Sequence, residues 1–232
     1  MIAVAIDGPA GAGKSTIARR AAKELGFVYV DTGALYRAVG LFVLRAGAAP
    51  SDRDAVRGML EKITVTLCYR DGEQRVILCG NDVTDELRSP EVSKASSAVS
   101  AFPEVRGFLL SLQRELALRN DVVMDGRDIG TVVLPGAQVK IFLTAAPEDR
   151  ARRRYEEMRT AGKAAVYDEI LADLKQRDYN DTHRAVAPLV PAGGAVRIDT
   201  TGNTLEQSVE QVTAVIKKLL PGQITGREAV KL

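Results

Sequence analysis

The sequence predicts an α/β fold, a parallel sheet flanked by helices, and three observations carry that expectation. Short apolar, β-branched runs alternate with stretches of helical periodicity along most of the chain. The first such run leads straight into a glycine-rich turn that opens a helix, "GPAGAGKST" at residues 8–16. One central segment breaks the rhythm and alternates with period two, as a small antiparallel sheet inserted into a βα chain would.

Residues 2–6, "IAVAI", are bounded by Asp-Gly-Pro and read as a central parallel strand. In "KSTIARRAAKELG" the apolar positions Ile17, Ala18, Ala21, Ala22 and Leu25 have helical spacing, and Gly26 is a natural stop. "FVYVD" is a second strand and "ALYRAVGLFVLRAG" a second helix ending near Gly47. "ITVTLCY" (63–69), the turn "DGEQ" and "RVILCGNDVT" form the inserted hairpin. Helices return in "SPEVSKASSAVSAFPEVRGFLLSLQRELAL", with Val105, Phe108, Leu109, Leu112 and Leu116 on one face. "DVVMDG" (121–126) and "QVKIFLTA" (138–145) are a third and fourth core strand. An arginine-rich helix from Pro147, a break at "AGKAA" and a helix over about 166–182 follow. "AVRIDTT" is a last strand and "TLEQSVEQVTAVIKKLL" a last helix. The tail 221–232, "PGQITGREAVKL", has no periodicity and is expected to be mobile.

Composition narrows the function classes. The 232 residues suffice for one α/β domain with a substantial insertion. A net charge of +2 is too mild to suggest a nucleic-acid partner. With one histidine, His183, and two cysteines, Cys68 and Cys79, a Cys/His metal cage is not expected. The thiols are expected to be free and buried, in a reducing compartment. His183 is expected at the surface. The N-terminal apolar run lacks a basic flank and breaks at Asp7, and no stretch of about 18 apolar residues occurs, so a cytoplasmic protein without a membrane partner is expected.

"GPAGAGKS" fits G-x-x-x-x-G-K-[ST] from Gly8 to Ser15, between a strand and a helix. In such a loop, Gly8, Pro9, Ala10, Gly11, Ala12, Gly13, Lys14, Ser15 and Thr16 bring backbone N–H groups and a helix N-terminus to bear on phosphate oxygens. Lys14 can reach the outer phosphates, and the Ser15 hydroxyl can ligate Mg²⁺. The motif specifies a nucleoside triphosphate and leaves the acceptor open.

Asp125 ends the strand "VVMD", where a carboxylate can orient Mg²⁺ or its waters; read alone it is equally an ordinary strand-end residue. Arg127 and Asp128 follow at the carboxyl edge of the sheet, where open α/β folds bind ligands. Tyr36 and Arg37 lie in the first turns of the second helix; there Arg37 is either a fork onto a phosphate or a solvated side chain. On the helix over 166–182, the stripe Ile170–Leu174 continues into Arg177, Asp181 and Arg184, which is either a polar cleft wall or a surface ion pair. Arg150, Arg153 and Arg154 share a face of the helix before it. Such a run usually means a solvated basic helix, but beside a triphosphate it also suits an arginine lid.

Taken together, "IDGPAGAGKST", "DTGALYRA", "VSKASSAVSAFPEVR", "DGRDIGTVVLPGAQVKIFLTA" and "RDYNDTHRAVAPLVPA" resemble the bacterial cytidylate kinases, a branch of the nucleoside monophosphate kinases, over nearly the whole chain except the tail. The resemblance implies a P-loop kinase core (1–34, 101–146, 185–220), an inserted monophosphate-binding domain (35–100, with its small sheet at about 62–90) and a helical lid with an acceptor-binding helix (147–184). It implies transfer of the γ-phosphoryl of ATP to CMP or dCMP with Mg²⁺, and a monomer. By position, Tyr36, Arg37, Arg127 and Arg184 look like the clamp on the acceptor phosphate, Ser97, Arg106 and Asp128 like the readers of cytosine, and Arg177 and Asp181 like the sugar contacts. Lys14, Arg127 and the lid arginines Arg153 and Arg154 would carry catalysis, and Ser15 and Asp125 the metal, the latter through water. Thr32 stands where many members have Ser, which keeps the hydroxyl. The loop ends Lys-Ser-Thr where some members have Lys-Gly-Thr, and Ser15 fits Mg²⁺ ligation better.

The base readers also make chemical sense. Asp128 would accept from the cytosine amine, and Arg106 would donate to N3 and O2. Uracil presents a carbonyl and a protonated N3 there, and each buried group left unpaired costs about 1–3 kcal/mol. The alternative in the same class is a kinase of another monophosphate such as UMP. A GTP-dependent switch would need Asn-Lys-x-Asp, and no Asn precedes a Lys in this chain.

Overall fold

Each of two units packs an apolar core of its own. A computed structural model describes residues 1–70 and 72–223. Among the described residues the chain divides into one compact unit built from residues 1–29 and 121–223, and a second built from residues 30–70 and 72–120.

The first unit is organised by a five-stranded sheet in the order β2-β6-β1-β7-β8. Its strands are β1 (Ala3–Asp7), β2 (Val28–Asp31), β6 (Val122–Gly126), β7 (Val139–Thr144) and β8 (Val196–Asp199). β1 pairs in parallel with β6 and β7, and β7 in parallel with β8. Val4, Ile6, Val139, Ile141 and Leu143 pack with Ile17, Ala18, Ala21, Ala22 and Leu25 of α1 (Lys14–Leu25) and with Val212 and Ile216 of α8 (Leu205–Leu219). Ala5, Val122 and Met124 are buried as well, so β1 and β6 are covered on both faces, which explains their apolar runs, whereas β7 alternates buried and half-buried residues. Gly26 ends α1 in a left-handed conformation, its N–H bonded back to Ala22 and Lys23. Thr204 and Gln207 form a reciprocal capping box at the start of α8.

The helices α6 (Pro147–Thr160) and α7 (Tyr167–His183) pack on each other and on the loop after β1. Ala10 of that loop, Ala151 and Leu174 make a small core of their own, extended by Tyr167, Ile170 and Leu171.

In the second unit, α2 (Thr32–Arg45) is the central element, packed by α4 (Pro90–Val99), α5 (Pro103–Arg119) and the sheet β3 (Val65–Arg70), β4 (Glu73–Leu78) and β5 (Asn81–Asp82). Leu35, Val39, Val43, Val76, Leu78, Val99, Val105 and Leu109 form its core, and each large aliphatic contributes about 1.5–3 kcal/mol by burial. Gly40 permits the tight crossing of α2 and α4, because a Cβ there would lie 2.9 Å from the Ser96 amide. Asp31, Asp52 and Ser89 cap the starts of α2, α3 (Arg53–Met59) and α4.

Several expectations shift. α5 belongs to the second unit, whereas the grouping by resemblance places 101–146 with the kinase core; its apolar face, Val105 and Leu109, is buried with α2. The segment "RVILCGNDVT" is not one strand, because Cys79 and Gly80 have positive φ and break it into β4 and β5. Glu73 and Gln74, assigned to the turn, already belong to β4. The thiols are free as expected, but burial is corrected: Cys68 is half-buried and Cys79 exposed. Of the tail, residues 224–232 lie outside the described residues. Among the described residues no helix is long and apolar enough to cross a membrane.

Candidate active site

β1 ends at the glycine-rich loop, and the loop's shape follows from its neighbours. Gly8 passes so close to β7 that a Cβ would lie 1.9 Å from the Leu143 carbonyl oxygen. Gly13 caps α1 at φ 82°, and α1 points its N-terminal amides into the loop. Lys14 is buried and donates to the Pro9 carbonyl at 2.7 Å. Burial, then the positive charge of Arg127, pushes its ammonium down to about 7. Thr16 and Gly11 are exposed at the loop's rim.

Ser15 Oγ donates to Asp125 Oδ2 at 3.0 Å, and Tyr29 donates its hydroxyl to Asp125 Oδ1 at 2.8 Å. Asp125 is buried at the end of β6. Among the described residues no group of three or more His, Cys, Asp or Glu could hold a metal by itself. A hydroxyl beside a carboxylate, both hard oxygen donors, is a partial set of the kind Mg²⁺ uses when substrate phosphates and water complete its shell, so Ser15 and Asp125 fit that ion.

Past β6 the chain enters a π turn, Ile129–Val133, with Val133 and Leu134 donating back to the Asp128 and Ile129 carbonyls. Arg127 Nε donates to Asp181 Oδ2 at 2.8 Å. The Arg184 guanidinium reaches Asp128 at 3.8 Å and Asp181 at 3.9 Å and donates from Nε to the Ala187 carbonyl at 2.6 Å. Burial by itself raises the Asp181 carboxyl, but Arg127, Arg184 and Arg177 together outweigh it and hold the group below its ordinary value. So Arg127, Asp128, Arg177, Asp181 and Arg184, drawn from a sheet-edge loop and the end of α7, share one alternating cluster. His183 is exposed and stacks on Tyr179.

The three arginines of α6 separate. Arg150 is buried and fully engaged by the Ala145 and Ala10 carbonyls and by both oxygens of Asp178, so its placement in a phosphate-facing lid is corrected: it ties α6 and α7 to the loop. Arg153 donates to Thr200 and pairs with Asp149, and its Nη1 faces Gly13 at 4.0 Å from where a Cβ would stand. Arg154 is half exposed and pairs with Glu157 at 3.5 Å.

In the second unit, Thr32 is buried at the start of α2. Arg37 Nη2 donates to Asp31 Oδ2 at 2.7 Å, while Asp31 Oδ1 caps the helix by accepting from the Ala34 amide at 3.0 Å. The Arg106 guanidinium lies 5.5 Å over the Tyr36 ring and donates to the Ser100 carbonyl at 3.1 Å. Ser97 is half-buried on α4.

Four residues that hold these groups escape sequence reasoning: Asp7, Tyr29, Gln74 and Asp178. Asp7 accepts from two amides of the π turn, and Gln74 Oε1 accepts from the Asp31 amide at 2.9 Å. Tyr29 and Gln74 sit in strands where one side chain reads like the next. Asp178 lies three residues before Asp181 on a helix already rich in charge.

The family model described as cytidylate kinase matches residues 4–218. A protein of Caldanaerobacter subterraneus subsp. tengcongensis named cytidylate kinase is 51% identical over 223 residues, covering 96% of this chain and 98% of its own. One of Desulfitobacterium hafniense with the same name is 50% identical over 212 residues, 91% of each chain. Among solved structures, an uncharacterized protein from Eubacterium ventriosum aligns with a TM-score of 0.51 at 12% identity, over 94% of this chain and 98% of its own, a likeness of fold alone.

Proposed function

We propose a division of labour among these residues that proceeds from one premise: this chain belongs to the cytidylate kinase family. Its reaction is ATP-dependent: the γ-phosphoryl group passes to CMP or dCMP, giving ADP and CDP or dCDP.

The loop Gly8–Thr16 holds the donor phosphates on its amides, and Lys14 follows the charge that develops on the γ-phosphoryl. Ser15 and Asp125 would hold Mg²⁺, Asp125 through water; bound there, the ion neutralises phosphate charge and orients the transferred group. Tyr36, Arg37, Arg127 and Arg184 clamp the acceptor phosphate, Thr32 lends its hydroxyl to the same substrate, and Arg177 and Asp181 take the sugar. The attacking phosphate oxygen is ionised near neutral pH, so transfer is direct and in line, with no general base and no covalent intermediate. Arg153, beside Gly13, and Arg154 supply further positive charge when α6 and α7 close and exclude water. Arg150 is left out of that set. We place the enzyme in the cytoplasm as a monomer, as the family resemblance implies.

Ser97, Arg106 and Asp128 read cytosine. The observation that carries this reading is the buried carboxylate of Asp128, held at the sheet edge by Arg184 and matched to an amine donor that CMP has and UMP lacks. A coupled assay with ATP and each monophosphate tests it. CMP and dCMP should exceed UMP, AMP and GMP in kcat/KM, and Asp128→Ala should lose the preference for CMP over UMP. Equal use of UMP by the unaltered enzyme, or an unchanged preference in the variant, refutes the assignment.

A further inference from the structure

Asp7 is a buried carboxylate that the division of labour above does not use. It is the last residue of β1, 3% exposed, and stands in register with Gly126 of β6 and Phe142 of β7. Its two oxygens accept from consecutive amides of the π turn, Oδ1 from Ile129 at 2.7 Å and Oδ2 from Gly130 at 2.8 Å. The first amides of any helical turn have no partner within the turn, and two adjacent N–H groups form a natural seat for an anion. Here the anion comes from the residue that immediately precedes the phosphate loop. The fit is close: a Cβ on Gly130 would lie 3.4 Å from Asp7 Oδ2 and 3.1 Å from the Ala192 Cβ. Directly before the two amides come Arg127 and Asp128.

We propose that Asp7 is a positioning residue for the acceptor, its carboxylate fixing the loop that carries Arg127 and Asp128 in register with the phosphate loop that carries the donor. The inference rests on the reading of Asp128 as the cytosine reader. Both strand ends then move as one body, and the phosphate clamp and base reader keep their distance from the γ-phosphoryl without contact between Asp7 and either substrate. An orientation error of an ångström at such a site is enough to slow transfer about a hundredfold.

Asp7→Asn is the direct test, since the amide keeps the volume but offers one acceptor and sets its NH₂ against the other backbone N–H. Mg·ATP binding, measured by calorimetry, should stay within threefold of the unaltered enzyme. kcat/KM for CMP should fall at least tenfold, and the ratio of kcat/KM for CMP over UMP should fall at least fivefold. A variant that is merely less stable would lower both acceptors alike and leave the ratio within twofold, and that result overturns the proposal. Because the variant could fail to fold, hydrogen exchange on the unaltered enzyme is an independent arm. The Ile129 and Gly130 amides should exchange at least a hundredfold more slowly than unprotected amides, and unprotected rates overturn the tie. Asp128→Ala is run in parallel. If it keeps the CMP preference, the reading of Asp128 fails and the specificity role of Asp7 fails with it, whatever the exchange data show of the tie. If Asp128→Ala loses the preference and Asp7→Asn does not, Asp7 alone is refuted.

Discussion

Tyr29 and Asp125 are joined by a 2.8 Å hydrogen bond from phenol to carboxylate, in a setting where both residues are buried. Asp125 accepts from Ser15 through its other oxygen, so the candidate metal group is oriented from two sides. The Arg19 guanidinium, 5.5 Å over the Tyr29 ring, is part of the same stack. Removing only the hydroxyl, in Tyr29→Phe, keeps the packing and frees one carboxylate oxygen to rotate. A hydrogen bond to a charged group is worth about 1.5–3 kcal/mol. The expected outcome is roughly tenfold weaker binding of Mg·ATP, with binding of ATP in the presence of a chelator unchanged. Calorimetric titrations with and without the metal check it; equal losses in both would assign Tyr29 to the core alone.

Lys14 supplies a pH signature. Its ammonium, ordinarily near 10.5, is pushed down to about 7 by burial and by Arg127. The folded chain therefore sheds this proton near pH 7, while the unfolded chain keeps it to near 10.5. Between those values the unfolded state binds more protons, so this group makes stability rise with pH, and the contribution is absent below about 7. Bound phosphates restore the charge. Mg·ATP binding at pH 8 should take up ~1 proton and at pH 6 almost none. Titrations in buffers of different ionisation enthalpy read the number directly, and Lys14→Met should show no uptake at either pH.

How much of this was legible in the sequence follows from what each feature depends on. The β1–loop–α1 unit was legible because its glycines, Lys14 and Ser15 are contiguous in sequence and follow a fixed spacing, with Gly13 at φ 82° opening α1. The arginines of α6 were legible as a shared face but not in their division. Whether Arg150 meets phosphate or Asp178 is decided by how α7 packs on α6, through Leu174, which no spacing along α6 encodes. The π turn was illegible for a similar reason: its amides are satisfied by Asp7, more than 120 positions away. α3 was missed because only Val56 of its seven residues is buried, too few to register a period.

Gln74 links the inserted sheet to the start of α2. Its amide oxygen accepts from the Asp31 amide at 2.9 Å, next to the Asp31 carboxylate that caps α2 and pairs with Arg37. Gln74→Leu keeps the bulk and leaves that amide without its partner, so the start of α2 loosens. KM for CMP should rise about tenfold, equivalent to ~1.4 kcal/mol, with Mg·ATP affinity unchanged. Steady-state kinetics with CMP as the varied substrate check it. An unchanged KM would make the inserted sheet a passenger with respect to the phosphate clamp.

Arg150 and Arg154 are one turn apart on α6 and should behave oppositely. Arg150 has a side chain 3% exposed and engages Asp178 at 2.5 Å and two backbone carbonyls. Removing one partner of a buried pair strands the other, which costs about 3–5 kcal/mol. Arg150→Met should lower the unfolding free energy obtained from urea titration by that amount even without nucleotide, and Asp178→Asn by less, since its amide oxygen can still accept. Arg154 is half exposed with a Glu157 partner at 3.5 Å, a contact worth under about 1 kcal/mol. Arg154→Ala should leave the urea midpoint of the free enzyme nearly unchanged and lower kcat, if its charge acts on the triphosphate as proposed. Urea unfolding of the free proteins, set beside kcat for each, separates a structural arginine from a catalytic one. A large stability loss in Arg154→Ala, or none in Arg150→Met, would reverse the two assignments.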